Sequence, residues 1–366
     1  MDQKLKIGII GCGGIANGKH MPSLAKLENV EMVAFCDIEV ARAEKAAQDY
    51  GVQGSRVYED YRELLDKESL DVVHICTPNN SHAEITVASL EAGMHVMCEK
   101  PMAKTAAEAR EMLAAAERTG KKLTIGYQSR YRSDSEYLKK ACERGDLGEI
   151  YMAKARALRR RAVPTWGVFL DEEKQGGGPL IDIGTHALDL TLWMMDNYRP
   201  KYVVGTVYHK LNKRENAANA WGPWDPKKFQ VEDSAFGFIV MENGATIILE
   251  SSWALNTLFP GEARTILHGT EGGADMEDGL RINGEEFGRL YTKNPSLDTG
   301  GVAFYDGKTE SAADREARLW IESIINDTPP LVLPEQAMIV TEILEAIYRS
   351  ARSGEPVYFK DGRMLI

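Results

Sequence analysis

A lysine beside a buried strand is the first residue of the chain whose position suits proton transfer. Lys100 lies in the tripeptide Glu99-Lys100-Pro101, directly after the apolar run 95–98. Removing a lysine amine from water lowers its pKa and makes it usable in proton transfer near neutral pH. We therefore predict a catalytic role for Lys100, and the alternative is a solvated lysine in a strand-to-helix turn.

An aspartate and a histidine form the second candidate group. Asp182 and His186 are four residues apart after Gly176-Gly-Gly-Pro179, so a helix would place both on one face of its first turns. His186 can exchange a hydroxyl proton, and Asp182 can hold the imidazole or bind a neighbouring hydroxyl. A structural Asp–His pair and a metal site completed by Asp189 stay open. The second histidine of familiar zinc helices is missing, so we predict no metal.

A glycine-rich loop after the first apolar run predicts dinucleotide binding. Gly11-Cys-Gly-Gly-Ile-Ala16 fits the G-x-G-x-x-G/A pattern, with a strand before it and a helix after it. Gly11 permits the tight turn, and Gly13 lets a pyrophosphate approach the backbone. Ala16 allows close packing of the helix on the strand. The loop residues expected to contact the cofactor are Gly11, Gly13, Gly14 and Ile15.

A carboxylate at the end of the second strand predicts which dinucleotide is bound. The apolar run 30–36 ends in Asp37, 21 residues after Ala16. A carboxylate here hydrogen-bonds a ribose diol and repels the 2′-phosphate of NADP, so we predict NAD, with NADP less favoured. Arg42 could meet a 2′-phosphate, but it also suits the solvated face of a helix over 39–50.

The elements that position these groups alternate between strand and helix. Apolar runs predict six strands, at 6–10, 30–36, 57–58, 71–76, 95–98 and 122–126. Helical patterns between them predict a doubly wound parallel sheet. Ligands bind at the carboxyl ends of such strands, so the glycine loop, Asp37, residues 77–79 and Lys100 should share one rim.

The rest of the chain has a different pattern. Alternating or apolar runs predict strands at 150–157, 202–208, 233–241, 246–252 and 264–268, and shorter pieces up to about Tyr291. A hairpin is predicted at Glu242-Asn-Gly-Ala245. These strands indicate an α+β domain with a large, open, mostly antiparallel sheet. We predict a dinucleotide-binding domain over 1–126 and a substrate-binding and oligomerisation domain over 127–366. Its last helix, 334–352, should pack back on the first domain, and 298–306 should form a surface loop.

Three motifs together resemble the Gfo/Idh/MocA oxidoreductase family over essentially the whole chain. They are the glycine loop, Cys76-Thr-Pro-Asn-Asn-Ser-His82 and Glu99-Lys100-Pro101. The resemblance implies an NAD(P)-dependent sugar or cyclitol dehydrogenase in which Lys100 is the active-site lysine. It also implies that the D-x-G-x-H pattern at 182–186 meets this lysine across a cleft. The further cofactor contacts we expect are Thr77, Pro78, Asn79, His82, Glu99, Lys100 and Gln128. His82 could instead be a neighbour of a helix N-cap.

Substrate contacts are less clearly marked. Arg159 and Arg161 lie in a basic run that ends at Trp166, before the glycine-rich stretch. Such a run is usually a solvated face, but a loop over the cleft would bring these side chains to the substrate. The candidate substrate contacts are Lys100, Tyr127, Arg159, Arg161, Trp166, Asp182 and His186. The loop 217–226 contains Trp221 and Trp224. These side chains suit either binding of a sugar-ring face or packing at a contact between subunits.

Composition limits the classes of partner. The net charge of −11 argues against nucleic acid or an anionic membrane as the main partner. No apolar run approaches the roughly 18 residues of a membrane span. The N-terminal residues enter a strand-like run at once, so we expect no signal peptide. The five scattered cysteines read as reduced thiols of a cytoplasmic protein.

These observations together predict an NAD-dependent dehydrogenase for a small-molecule polyol or sugar. By analogy with the family, we expect a homodimer or homotetramer formed through the C-terminal sheet. Two other functions stay open. One is a glycosidase that uses retained NAD for transient oxidation, and the other is a non-catalytic sugar sensor on the same fold.

Overall fold

A computed structural model of the chain describes residues 4–297 and 310–365. They form two compact units. The first comprises the described residues of Met1–Gln128 together with Glu310–Met338, and the second comprises those of Ser129–Thr309 together with Ile339–Ile366. Residues 310–338 thus belong to the first unit, whereas the sequence-based division placed them in the second domain. The surface loop predicted at 298–306 lies outside the described residues.

The first unit is built on a six-stranded parallel sheet with the order β3-β2-β1-β4-β5-β6. Its strands are β1 (Leu5–Ile10), β2 (Val30–Cys36), β3 (Arg56–Tyr58), β4 (Val72–Ile75), β5 (His95–Cys98) and β6 (Leu123–Ile125). The order reverses between β1 and β4, as in a Rossmann fold. The predicted doubly wound sheet is confirmed.

Helices join these strands and cover the sheet. They are α1 (Met21–Leu24), α2 (Val40–Tyr50), α3 (Tyr61–Lys67), α4 (His82–Glu91) and α5 (Ala106–Thr119), with α9 (Ala312–Ile325) added from later in the chain. α5 has the clearest sequence signals, because Thr105 and Glu108 form a capping box and Gly120 ends the helix at a φ of +65°. The core of this unit includes Ile9 and Phe35 of the sheet and Trp320 of α9. α9 is therefore an integral part of the first unit.

The second unit is built on a ten-stranded sheet with the order β14-β13-β12-β11-β7-β10-β9-β8-β15-β16. Its strands are β7 (Ile150–Leu158), β8 (Pro200–Tyr208), β9 (Ser234–Met241), β10 (Thr246–Ser252), β11 (Gly261–Gly269), β12 (Gly272–Asp275), β13 (Arg281–Glu286), β14 (Arg289–Lys293), β15 (Val357–Lys360) and β16 (Arg363–Met364). The pairs are antiparallel except β7 with β10. The mostly antiparallel sheet is as predicted, and so is the hairpin, whose turn has Gly244 at a φ of +89°.

The helices of the second unit are α6 (Ser133–Arg144), α7 (Glu172–Gln175), α8 (Thr185–Met195) and most of α10 (Pro334–Ser353). α10 was expected to pack on the first domain, but its residues from Ile339 onward group with the second unit. The physical reason is a close fit, because a Cβ on Gly205 or Gly237 would lie 2.6 Å from Ile347. These two glycines let α10 approach β8 and β9.

Two short strands were missed in the sequence. β15 pairs with β8 and β16 with β15, at the end of the chain. They have four and two residues, and the charged Lys360 and Arg363 leave little apolar alternation to detect. In the part of the chain that the structure describes, no helix combines the length and apolarity that crossing a bilayer requires.

Candidate active site

The glycine loop follows β1 and has two kinds of glycine. Gly11 has a φ of +90°, and a Cβ there would lie 2.7 Å from the backbone of Cys76, so the turn requires glycine. A Cβ on Gly13 or Gly14 would meet none of the described atoms within 4 Å. The loop thus packs closely against the end of β4 on one side and leaves open backbone where a pyrophosphate is expected. Ile15 is exposed beside it.

Asp37 is tied to this loop through its carboxylate. One oxygen accepts the N–H of Cys12 at 2.8 Å, and the other accepts the N–H of Glu39 at 2.9 Å. Each oxygen keeps a second lone pair for a ribose hydroxyl. Burial, together with the charge of Asp37, raises the pKa of Cys12 to about 12, so its thiol stays protonated. The geometry suits the role predicted for Asp37.

Arg42, the residue that left NADP open, forms a solvated ion pair. Its guanidinium lies 2.8 Å from Glu39, the residue that precedes α2, and both side chains are more than half exposed. An exposed pair of this kind contributes little, so it describes Arg42 as a solvated residue and does not by itself decide between NAD and NADP.

The loop after β4 carries Thr77, Pro78 and Asn79 and is stabilised from within. The Ser81 Oγ lies 2.8 Å from Thr77 Oγ1 and 2.9 Å from the Pro78 carbonyl oxygen, within hydrogen-bond distance of both. These bonds fix the turn between β4 and α4 at the carboxyl edge of the sheet. The predicted cofactor contacts of these residues stay predictions.

His82 joins this loop to the turn that carries Lys100. Its Nδ1 lies 2.8 Å from the carbonyl oxygen of Pro101, and its Nε2 lies 3.0 Å from that of Thr77. Burial lowers the pKa of His82 by more than the hydrogen bonds to the two carbonyls raise it. The ring is therefore neutral at pH 7 and donates from one nitrogen. The ring has no exposed surface. This geometry gives His82 a positioning role, and its contact with a nicotinamide stays a prediction.

Glu99 belongs to a buried network of charged groups. Its Oε1 accepts the Lys19 ammonium at 2.8 Å and lies 2.8 Å from His20 Nε2, while Oε2 accepts the N–H of Lys100 at 3.1 Å. Lys19 also binds Glu316 of α9 at 2.7 Å. The network therefore connects the end of the helical segment Ala16–His20, the strand end that carries Lys100, and α9.

The charge states in this network follow from its contacts. Burial alone would raise the pKa of Glu99, but Lys19 and the His20 hydrogen bond hold it well below its usual value. Burial alone would lower the pKa of Lys19, but Glu316 and Glu99 raise it above its usual value. Burial, with His20 and Lys19, lowers the pKa of His74, whose Nδ1 is 3.0 Å from His20 Nδ1. Glu99 and Lys19 are thus ionised at pH 7, and His74 is neutral.

Lys100 itself lies half-buried in the turn after β5, and its bond to Pro101 is cis. Tyr127 and Gln128 follow β6, the next strand along. Tyr127 is fully buried, whereas Gln128 is exposed. The loops after β1, β2, β4, β5 and β6 thus place the first unit's candidate residues along the carboxyl edge of one sheet. The predicted catalytic and binding contacts at this edge stay predictions.

The second unit positions Asp182 and His186 on consecutive helical segments. Asp182 lies in a π-helical turn, Leu180–Gly184, and His186 lies in the first turn of α8. Trp253 donates its indole N–H to Asp182 Oδ2 at 3.0 Å, and Arg159 Nη1 lies 3.9 Å from the same oxygen. The expected single helix thus begins with a wider π turn, a feature frequent at functional sites.

A buried glutamate caps the segment that carries Asp182. Glu232 accepts the N–H of Gly178 at 2.8 Å and that of Leu180 at 3.2 Å, and the Tyr348 hydroxyl donates to it at 2.8 Å. A Cβ on Gly177 would clash with Tyr348, and one on Gly178 with Glu232. The predicted close-packed glycines therefore admit the Tyr348 side chain and the Glu232 backbone. Burial raises the pKa of Glu232 to about 7, although the hydrogen bonds act to lower it.

Asp189 forms a buried, bidentate ion pair with Arg130. Arg130 Nε lies 3.0 Å and Nη2 2.6 Å from the two Asp189 oxygens. Both side chains are fully buried. A carboxylate bound in this way is not available as the third ligand of the metal site considered from the sequence.

The basic run is bound to protein groups in the second unit. Arg159 makes two bonds to Glu262, at 2.6 and 2.8 Å, and Arg161 donates to Asn256 Oδ1 at 2.6 Å. Trp166 is about half exposed. The structure brings Arg159 close to Asp182.

Comparison with known proteins identifies the family. Residues 5–127 match the oxidoreductase family with an NAD-binding Rossmann fold, and residues 135–275 match the GFO/IDH/MocA C-terminal domain. The chain belongs to the Gfo/Idh/MocA family. It is therefore an NAD-dependent dehydrogenase that acts on CH–OH groups, and the resemblance noted in the sequence is confirmed.

Three relatives illustrate the range of this family. D-Glucoside 3-dehydrogenase of Escherichia coli K12 is 36% identical over 96% of this chain and 97% of that protein. Inositol 2-dehydrogenase of Salmonella paratyphi B is 32% identical over 52% of this chain and 55% of that protein. The crystal structure of aldose-aldose oxidoreductase from Caulobacter crescentus, complexed with glycerol, has a TM-score of 0.79 at 25% identity and covers 98% of this chain and 100% of that one.

Several supporting residues of this Gfo/Idh/MocA protein escaped the sequence analysis. They are Lys19, His20, Glu316, Trp253, Glu232 and Tyr348. Glu316 left a signal, because it lies on the apolar stripe of α9 beside Ala317 and Trp320. An acidic residue on a core-facing stripe needs a buried partner. The contacts of Trp253 and Glu232 depend on residues more than 50 positions away, so no local pattern marks them.

Proposed function

We propose that this protein oxidises one hydroxyl-bearing carbon of a sugar or cyclitol and that a glucoside is the first substrate to test. The observation that carries the proposal is the 36% identity to a D-glucoside 3-dehydrogenase along nearly the whole of both chains. The reaction removes a hydride from carbon and a proton from its hydroxyl, and it yields a carbonyl product, NADH and a proton.

The first unit would bind the cofactor. Bound NAD supplies a hydride acceptor at C4 of its nicotinamide. Asp37 would bind the ribose diol, because its two oxygens are already oriented by the N–H groups of Cys12 and Glu39. The open backbone at Gly13 and Gly14 would receive the pyrophosphate.

Lys100, Asp182 and His186 would carry the proton chemistry. In this proposal His186 accepts the hydroxyl proton and passes it to solvent. Lys100 donates a hydrogen bond to the same oxygen as negative charge develops there. Asp182, already oriented by Trp253, holds the imidazole or a neighbouring hydroxyl. The resemblance between this D-x-G-x-H segment and the family pattern supports these assignments.

An uncharged substrate fits the surroundings of Asp182 better than a sugar acid. The Arg159 guanidinium is bound by Glu262, and Asp182 lies 3.9 Å from it. An arginine already neutralised by carboxylates attracts a further one weakly.

We also propose that the protein is a cytoplasmic homodimer or homotetramer. The large sheet exposes Val204, Tyr208, Phe238 and Tyr358. Exposed apolar residues on a sheet face suit association with a second copy. The five cysteines are free thiols, which agrees with a reducing compartment.

The test is reduction of NAD, followed by absorbance, with methyl glucosides, free hexoses, inositols, anhydrosugars and sugar acids. NAD and NADP would be run in parallel. We expect NADH to accumulate with a glucoside and with NAD. NAD binding without NADH on any substrate would contradict the proposal, and cleavage of glycosides with retained cofactor would favour the glycosidase alternative.

A further inference from the structure

The second unit separates its loop tryptophans into buried and exposed ones. Trp224 is buried, and its indole donates to the Asn212 carbonyl at 2.9 Å. Trp166 and Trp221 are 51% and 46% exposed, and their rings meet edge to face with centroids 4.9 Å apart. Trp224 is therefore the structural anchor of its loop, whereas the other two present apolar surface to solvent.

The two loops are held together without the exposed rings. The side-chain amide of Asn219 accepts the N–H of Val163 at 2.8 Å and donates to its carbonyl at 3.0 Å. The Thr165 hydroxyl donates to the Trp221 carbonyl at 3.1 Å. Because these hydrogen bonds involve neither indole, removal of either exposed ring should leave the loop backbone in place. The rings are thus presented on a preformed surface.

A continuous series of contacts links these rings to Asp182. Trp166 packs on Phe169 with centroids 5.9 Å apart, and Phe169 packs on Trp253 at 6.3 Å. Trp253 donates to Asp182 Oδ2 at 3.0 Å. On the other side, the Arg159 guanidinium lies 5.4 Å from the Trp221 ring and 3.9 Å from Asp182.

We propose that Trp166 and Trp221 form a stacking subsite for a second sugar ring, joined to the ring that is oxidised near Asp182. This inference rests on the proposed function and extends it, because it assigns the substrate class as glycosides with a ring-shaped aglycone. The C–H face of a pyranose is apolar and flat, so it covers an aromatic ring well. A free monosaccharide would leave the subsite empty.

The test compares kcat/KM with NAD for methyl glucoside, a glucosyl disaccharide and phenyl glucoside. We expect the wild-type protein to prefer the disaccharide over methyl glucoside by about tenfold. Trp166→Ala and Trp221→Ala should each reduce this preference by roughly three- to tenfold, mainly through a higher KM for the disaccharide. Trp166→Phe should keep most of the preference.

The matched control is Tyr151→Ala, which removes another exposed aromatic ring of the same unit. Equal disaccharide preference in the tryptophan variants and in wild type would overturn the subsite. A preference confined to phenyl glucoside would overturn a sugar ring as its occupant. If the wild-type protein is an oligomer and either tryptophan substitution dissociates it, as measured by light scattering, the rings belong to a subunit contact instead. If wild-type protein oxidises none of the three, the proposed function itself fails.

Discussion

Two buried glutamates stand next to the candidate catalytic segments, and their surroundings give them different charges. Glu99 precedes Lys100 and binds the Lys19 ammonium and His20, so its pKa lies well below the usual value. Glu232 caps the Asp182 segment and has only hydroxyl and N–H donors, so burial raises its pKa to about 7. At Glu232 the hydrogen bonds do not offset the desolvation of the carboxylate, whereas at Glu99 the buried ammonium of Lys19 contributes the opposing charge.

The difference has a consequence for each half of the molecule. In the first unit, the position of Lys100 depends on a charge pair that stays ionised across the physiological range. In the second unit, the cap on the Asp182 segment can gain or lose a proton near pH 7. We therefore expect the second region to respond to pH and the first to respond most to loss of a charge.

The largest effect should follow from Lys19→Met. Two buried carboxylates, Glu99 and Glu316, would lose their shared cation, and breaking a buried pair in this way costs about 3–5 kcal/mol of unfolding free energy. Denaturant unfolding measures this loss. The matched control is Lys26→Met. Lys26 binds Asp314 of α9, the helix that also carries Glu316, at 2.7 Å, but Lys26 is largely exposed.

Lys26→Met should cost at most about 1 kcal/mol. Adding Glu316→Gln to Lys19→Met should recover part of the stability, since one uncompensated charge is removed. Equal, small losses for both lysine variants would show that the buried network is not held by charge.

A smaller effect should appear in the pH dependence of stability for Glu232→Gln. The folded state keeps the Glu232 proton up to about pH 7, whereas the unfolded state loses it near 4.5. The stabilisation from this proton is therefore complete below pH 4.5 and is lost as the pH rises through 7. Between pH 5 and pH 8, the difference in unfolding free energy between wild type and variant should shift by about 2–3 kcal/mol against wild type.

Glutamine matches the shape of glutamate but does not titrate, so it isolates this contribution. Thermal or urea unfolding at several pH values measures it. If the unfolding free energies of wild type and variant change in parallel with pH, the pKa of Glu232 is not raised. The contrast with Glu99 would then be lost.

The smallest effect should come from Tyr348→Phe. This change removes the O–H donor to Glu232 but keeps the ring that packs on Gly177, so we expect a loss of about 1 kcal/mol. The pH at which the stabilisation from the Glu232 proton is half lost should also rise, because the lost donor favoured the ionised form of Glu232. Tyr358→Phe, at an exposed tyrosine of β15, is the control, and an unchanged midpoint in Tyr348→Phe would show that its hydroxyl does not act on Glu232.

The same contrast explains what could be predicted from the sequence. Gly11, Asp37 and the alternating strands follow from local pattern and spacing, and the hairpin follows from Gly244 and its neighbours. The glycine-rich stretch at 176–178 was recognised as close-packed, but the residues that require it, Glu232 and Tyr348, come from distant parts of the chain. Long-range contacts of this kind have no fixed spacing in the sequence.

Burial of charge was the other property that local pattern did not give. Lys19 and His20 follow the glycine loop and read as ordinary polar residues at a helix start. Their role depends on α9, which joins the first unit from some 290 residues later in the chain. The expectation that α10 packs back on the first domain also lacked a long-range contact, because the glycines that Ile347 approaches, Gly205 and Gly237, lie more than 100 positions earlier in the chain.

The most direct test of the account is NAD reduction with methyl glucoside by the wild-type protein, His186→Phe and Lys100→Met, measured together with NAD affinity. We predict that wild type accumulates NADH. His186→Phe should bind NAD as wild type does but lose at least about 100-fold in kcat, and Lys100→Met should lose as much. Variants that retain the wild-type rate would contradict the roles of Lys100 and His186 in proton transfer.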